Sequence, residues 1–147
     1  MKFKLPPPVL FIISALIIYF LPNDIFPYYD FFLPISIISF IFSALLAVFS
    51  LIAFYQKKNS LDPIHLEKTT ILVTHSIYRI SRNPMYLSLA MLLIAWALWV
   101  GNLLGLVVVG GFIYAITCFQ IIPEEQFLEK KFGVAYLQYK KKVARWL

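Results

Sequence analysis

Arg79, Ser81, Arg82 and Asn83 crowd into five positions of "YRISRNPMYLSL" (residues 78–89), and Pro84 then opens a strongly apolar run. Asparagine is a good N-cap and proline a good first helical residue, so a helix is expected to start at Pro84. The first amides of a helix have no intrahelical partner and carry partial positive charge. Beside Arg79 and Arg82 they suit a carboxylate or a phosphate. A plainer reading treats the arginines as charges flanking a membrane span. A second polar stretch is "IIPEEQFLEKKFG" (residues 121–133), in which Pro123 is expected to open a helix with Glu124 and Glu125 in its first turn. Two adjacent acids there can complement the helix dipole or face an ammonium or ribose hydroxyls.

These side chains sit in a chain built mostly for lipid. Of its 147 residues, 61% are hydrophobic and only 14% charged, against roughly 25% charged in a soluble domain. One all-α polytopic membrane domain is expected over residues 1–147. Its four transmembrane helices fall near 6–21, 31–55, 84–100 and 103–122, with a loop over 56–83 and a tail helix over 123–147. Residues 101–102 are the only break between the last two spans, which therefore form a helical hairpin; Gly101 and Gly105 are read as serving that turn. The start of the chain, behind Lys2 and Lys4, is read as an uncleaved span because no small-residue cleavage site succeeds it.

The charges orient the spans. All 13 Lys and Arg fall at Lys2 and Lys4, from Lys57 to Arg82, and from Lys130 to Arg145. With four spans these lie on one side, and the other side carries only Asp24 and Asp30. The basic side is cytoplasmic, so both termini are inside. The net charge of +6 thus marks topology and contact with anionic lipid, and no nucleic-acid partner is expected. In the tail, Leu128, Phe132, Ala135, Tyr139, Val143 and Trp146 recur at steps of three or four. They form one apolar face of an interfacial helix that Gly133 bends or breaks. The lone Cys118 is read as a small buried hydrophobe; no metal spacing is present.

The hairpin brings the two polar stretches to one membrane level, with helix axes ~8–10 Å apart. A cationic helix start then faces an acidic one. That pair suits a zwitterion, with a carboxylate on one side and an ammonium on the other.

The two motifs in this order, "VTHSIYRISRNPMYLSL" and "PEEQFLEKKFGVAYLQYKKKVARWL" around a hydrophobic hairpin, resemble the isoprenylcysteine carboxyl methyltransferase and phospholipid N-methyltransferase superfamily. The resemblance covers residues 64–147. It rests on Arg82, Pro84 and Tyr86, on Glu124 and Glu125, and on Phe132, Gly133, Tyr136 and Tyr139. Asn83 stands where histidine is usual, His75 to Tyr78 ("HSIY") where a Gly-Pro-Tyr loop is usual, and Ser88 where glycine is common.

The resemblance implies an integral membrane enzyme with S-adenosylmethionine as cofactor, held by Thr74, His75, Tyr78, Arg82, Asn83, Pro84, Tyr86, Glu124 and Glu125. The carboxylate of its methionyl head is expected on Arg82 and the amides of the third span. Its ammonium or ribose hydroxyls are expected on Glu124 or Glu125, and Tyr78 and Tyr86 line the adenine or the sulfonium. Arg79, Asn83 and Glu125 are the expected catalytic set, and Arg79 or His65 would orient an anionic acceptor. Tyr136 and Tyr139 are expected to seat the tail helix. The acceptor is lipophilic, an isoprenoid or prenyl-cysteine-like carboxylate or a lipid amine, and the expected location is a bacterial or archaeal inner membrane. Two other functions stand beside it: an NADPH-dependent reductase, since the C-terminal hairpin and helix also resemble those of sterol-reductase-like membrane enzymes, and a non-catalytic membrane subunit. The sequence indicates no oligomeric state.

Overall fold

The computed structural model describes residues 6–22, 30–56 and 72–147. The expected roles of Lys2, Lys4, Asp24, Lys57, Lys58, His65 and Lys68 lie outside these residues. Among those described, every regular element is helical. Helix α1 is Pro7–Phe20 and α2 is Phe32–Gln56. A 3-10 turn, Ser76–Arg79, precedes α3, Pro84–Trp99. Then come α4, Gly105–Ile116, α5, Ile122–Phe132, and α6, Val134–Lys142. Prolines open α1 and α3 in the first turn, where a missing N–H costs nothing.

Helices α2 and α3 run antiparallel. Ser36 Oγ donates to the Ala95 carbonyl at 2.8 Å and Ser43 Oγ to the Ser88 carbonyl at 2.7 Å. The small buried face of α2, with Ser36, Ser39, Ser43 and Ser50, lets the backbones approach, while Ile38, Phe40 and Phe49 point outward. α1 lies along the α3–α4 hairpin. The Trp96 indole N–H donates to the Ala15 carbonyl, and the buried Asn102 amide donates to Ile18 and Leu21 at the end of α1. The core is Ile18, Ala90, Leu93, Ala97, Val109, Phe112, Ile116 and Ile121. Large apolar side chains such as Leu16, Ile38, Val107 and Phe119 are exposed, as a protein solvated by lipid requires. Two helices, Phe32–Ala53 and Gly105–Phe132, are long and apolar enough to cross a membrane; Pro7–Phe20 and Pro84–Trp99 are shorter apolar helices.

Three expectations need correction. Pro123 stands in the first turn of α5 with Glu124 and Glu125, as expected, but α5 is not a separate helix. One helix runs through from Gly105 to Phe132, with a π-helical turn at Thr117–Ile121. A proline inside an α-helix lacks one bond and clashes with the carbonyl four residues back. Here the turn is widened just before it, and the Ile122 N–H reaches the Thr117 carbonyl instead. Gly105 serves close packing as well as the turn: a Cβ there would lie 2.9 Å from Ala97 Cβ and 3.0 Å from Ile18 Cγ2. Gly105→Ala is expected to cost about 1–3 kcal/mol, because α1 and α3 must both give way. A lowered midpoint of thermal unfolding in detergent would show it, and an unchanged midpoint would contradict the packing.

The third correction concerns the tail. It breaks at Gly133, whose φ of 53 is left-handed. Its apolar face, however, packs on the protein rather than lying free in the interface. Tyr136, Tyr139 and Val143 bury against Ala53, Val73 and Tyr78, with Leu128 and Phe132 beside them, and Trp146 packs on the main core. Ala135 remains exposed.

Candidate functional site

The start of α3 and the first turn of α5 meet at one end of the bundle. The 3-10 turn Ser76–Arg79 delivers Tyr78 into the core, and the chain then turns through Ser81 to Pro84. Ser76 has a φ of 57, a left-handed conformation that L-residues seldom adopt. Asn83 is the residue before α3, but its side chain does not cap the helix. Its amide instead donates to the Arg145 carbonyl at 3.0 Å, and its own N–H donates to Ser81 Oγ at 3.1 Å. The expected N-cap is therefore spent on a tertiary contact, and the asparagine leaves the amides at the start of α3 uncovered by its side chain.

Glu125 is the hub. It is 5% exposed and pairs with two guanidiniums. Arg145 forks it, with Nε 3.0 Å from Oε1 and Nη2 2.8 Å from Oε2. The buried Arg82 places Nη1 3.2 Å from Oε1 and 3.5 Å from the Tyr136 hydroxyl. A carboxylate drawn out of water must be paired like this, because desolvating an unpaired charge costs several kcal/mol. Glu124, one residue earlier and half-buried, accepts a 2.8 Å hydrogen bond from the Tyr86 hydroxyl. Arg82 and Arg145 against Glu124 and Glu125 balance the charge. Among the described residues, the buried Arg82 Nε has no partner.

The surrounding phenols are held neutral. Burial, and then the charge on Glu125, push Tyr136 up to about 12. Burial raises Tyr139 as well, and burial, Tyr139 and Glu124 raise Tyr78. The Tyr139 hydroxyl donates to the Tyr78 carbonyl at 2.7 Å, which ties α6 to the 3-10 turn. The hydrogen bond and charge of Glu125 raise Arg145, so its guanidinium stays charged. Lys140 pairs with Glu129 and braces α6 against α5.

Of the residues singled out in the sequence, Arg82, Asn83, Pro84, Tyr86, Glu124 and Glu125 gather here, and Tyr78 packs close by. His75 is half-exposed ahead of the 3-10 turn, while Thr74 and Arg79 are exposed and take no part in these contacts. Arg145, Ser81 and the polar end of Tyr136 belong to the cluster although the sequence does not single them out for it. In sequence, Arg145 is one more topology charge of the basic tail. Its only signal is indirect: two adjacent acids at a membrane exit need cations.

The phospholipid methyltransferase family matches this chain over residues 31–135, a stretch that holds α2 to α5, the first motif and the second as far as Ala135. An uncharacterized protein of Haemophilus influenzae (strain ATCC 51907 / DSM 11121 / KW20 / Rd) is 56% identical over 63 residues, which are 43% of this chain and 100% of that protein. No solved structure matches. The family match spans well over half the chain and carries the hairpin that unites the arginine and glutamate stretches, so the chain belongs to the phospholipid methyltransferase family.

Proposed function

We propose that this chain is a four-span membrane enzyme, with both termini in the cytoplasm, that moves a methyl group from S-adenosylmethionine to a lipophilic acceptor. One observation carries the reading: two motifs about forty residues apart in sequence meet as a buried, charge-balanced cluster, with Arg82 Nε left unpartnered. A zwitterionic head fits such a cluster, since adding one positive and one negative charge preserves its balance. Arg82 and the first amides of α3 would hold the carboxylate, and Glu124 or Glu125 the ammonium or ribose hydroxyls. Tyr86 and Tyr78 would line the rest. S-adenosylmethionine bound there supplies a methyl carbon already activated by its sulfonium.

The protein's own part is placement. It holds charges at fixed positions, excludes water from a site walled by Tyr78, Tyr86 and Tyr136, and keeps the acceptor's reacting atom in line. A carboxylate acceptor needs no base, and an amine acceptor needs only to arrive neutral. The absence of an obvious proton-transfer set among the clustered residues is consistent with this chemistry. The basic charges on one side of the apolar segments support the cytoplasmic placement, and the Haemophilus relative supports a bacterial host.

Titration of the detergent-purified chain with S-adenosylhomocysteine is expected to give saturable binding and a rise in melting temperature. Labelled S-adenosylmethionine added to native membranes is expected to label a lipid fraction. No binding at millimolar S-adenosylhomocysteine, or stabilisation by NADPH in its place, would overturn the reading.

A further inference from the structure

The C-terminal segment after α6 spans both motifs at once. α6 ends at Lys142, and Val143 is extended, with φ −124 and ψ 130. Helical hydrogen bonds therefore do not hold residues 144–147 in place. The Ala144 carbonyl accepts the Arg82 N–H at 3.1 Å. The Arg145 carbonyl accepts the Asn83 amide at 3.0 Å and the Ser81 hydroxyl at 3.4 Å. The Arg145 guanidinium forks Glu125, and Trp146 lies against the main core. The segment from Val143 to Trp146 thus closes on the 81–83 stretch and on α5. It lies beyond residue 135, where the match to the family ends.

A carboxylate offers about four acceptor positions; Arg145 fills two on Glu125 with hydrogen bonds, and the Arg82 guanidinium lies 3.2 Å from Oε1 as an ion pair. An ammonium arriving at Glu125 finds its place already held by a cation on this segment. Arg145 is also the cation that can leave. Its side chain is 35% exposed against 8% for Arg82, so water or lipid phosphate can receive it. The exchange conserves charge: an ammonium replaces a guanidinium on Glu125, and a carboxylate supplies the acceptor that Arg82 Nε lacks.

We propose that residues 143–147 form an autoinhibitory strap in which Arg145 holds on Glu125 the place of the cofactor's ammonium, so that strap closure and cofactor binding compete. The strap rests on the proposed binding of S-adenosylmethionine at this cluster. A ligand that binds only the open form has its apparent affinity reduced by the open fraction, so a strap closed nine-tenths of the time weakens binding about tenfold.

The test titrates S-adenosylhomocysteine into the full-length wild type, Arg145→Gln and Arg145→Lys in detergent. Hydrogen exchange is monitored at the Arg82 amide and across residues 143–147. Arg145→Gln is expected to bind about tenfold tighter than wild type. Arg145→Lys, which keeps the charge but loses the fork, is expected to fall between. In the wild type the ligand is expected to speed exchange in the strap, a readout that stands even if a variant folds poorly. Binding by the wild type with equal or weaker binding by Arg145→Gln, or slowed exchange in the strap, overturns the strap and leaves the cofactor reading intact. Binding by none of the three proteins overturns both.

Discussion

Alanine in place of Glu125 is expected to abolish S-adenosylhomocysteine binding and to cost about 3 kcal/mol of stability, at the lower end of what removing one partner of a buried ion pair does. The size reflects the charges left behind. Arg82 has a side chain only 8% exposed, and its 3.5 Å contact to the Tyr136 hydroxyl would remain as poor compensation. Its charge cannot reach water without dragging the start of α3 with it, because its own N–H is bonded to Ala144. Arg145 is more exposed and can turn outward, which keeps the cost from doubling. Glu125→Gln keeps one acceptor oxygen and the shape but not the charge, and is expected to lie between alanine and wild type. Thermal denaturation in detergent with and without ligand measures both effects. A loss under about 1 kcal/mol, in the range of a surface pair, would mean that the hub is not a desolvated one.

The helices and the meeting of the two motifs are legible in the sequence because local patterns determine them. Prolines at the first turns and long apolar runs set the helix starts within a residue or two, and a two-residue break between apolar runs leaves no geometry except a hairpin. Once the hairpin is given, Arg82 and Glu125 must come to one level, and they do so at 3.2 Å. Partner choice within the cluster is not legible. Asn83 looks like a cap from its neighbours alone, but its amide is taken by a carbonyl 62 residues later, which no local pattern announces. Arg145 looks like any other cation of a basic tail, since position along a chain of lysines does not reveal which charge is drawn inward. Pro123 marks the first turn of α5 but not that α5 continues α4. The rule that proline starts helices is local, whereas the π-turn that lets it sit inside a continuous helix depends on residues 117–121 packing with Gln120 and Ile121 buried. The tail's apolar period correctly marks a face, but periodicity does not say whether lipid or protein covers it.

Lysine in place of Arg82 is expected to weaken S-adenosylhomocysteine binding at least tenfold while lowering stability much less than Glu125→Ala. The two side chains share a charge but not a shape. Lysine's ammonium can reach Glu125 Oε1, which Arg82 now touches with Nη1, and so retains the ion pair that the buried carboxylate needs. It cannot replace the planar fork, and it has nothing at the position of Nε, the buried donor without a partner. If that donor awaits a carboxylate, its loss removes one charge-assisted hydrogen bond, worth roughly 1.5–3 kcal/mol, which is about tenfold to a hundredfold in affinity. Arg82→Met serves as the control. It removes the charge as well, so it should lose binding and also relax the hold on Glu125, leaving Arg145 as its cation. Isothermal titration gives the affinities and thermal denaturation the stabilities. The separation of the two readouts is the informative result. A lysine variant that binds like wild type would show that Arg82 acts only as the ion-pair partner of Glu125, and the carboxylate position would then have to be sought at the amides of α3.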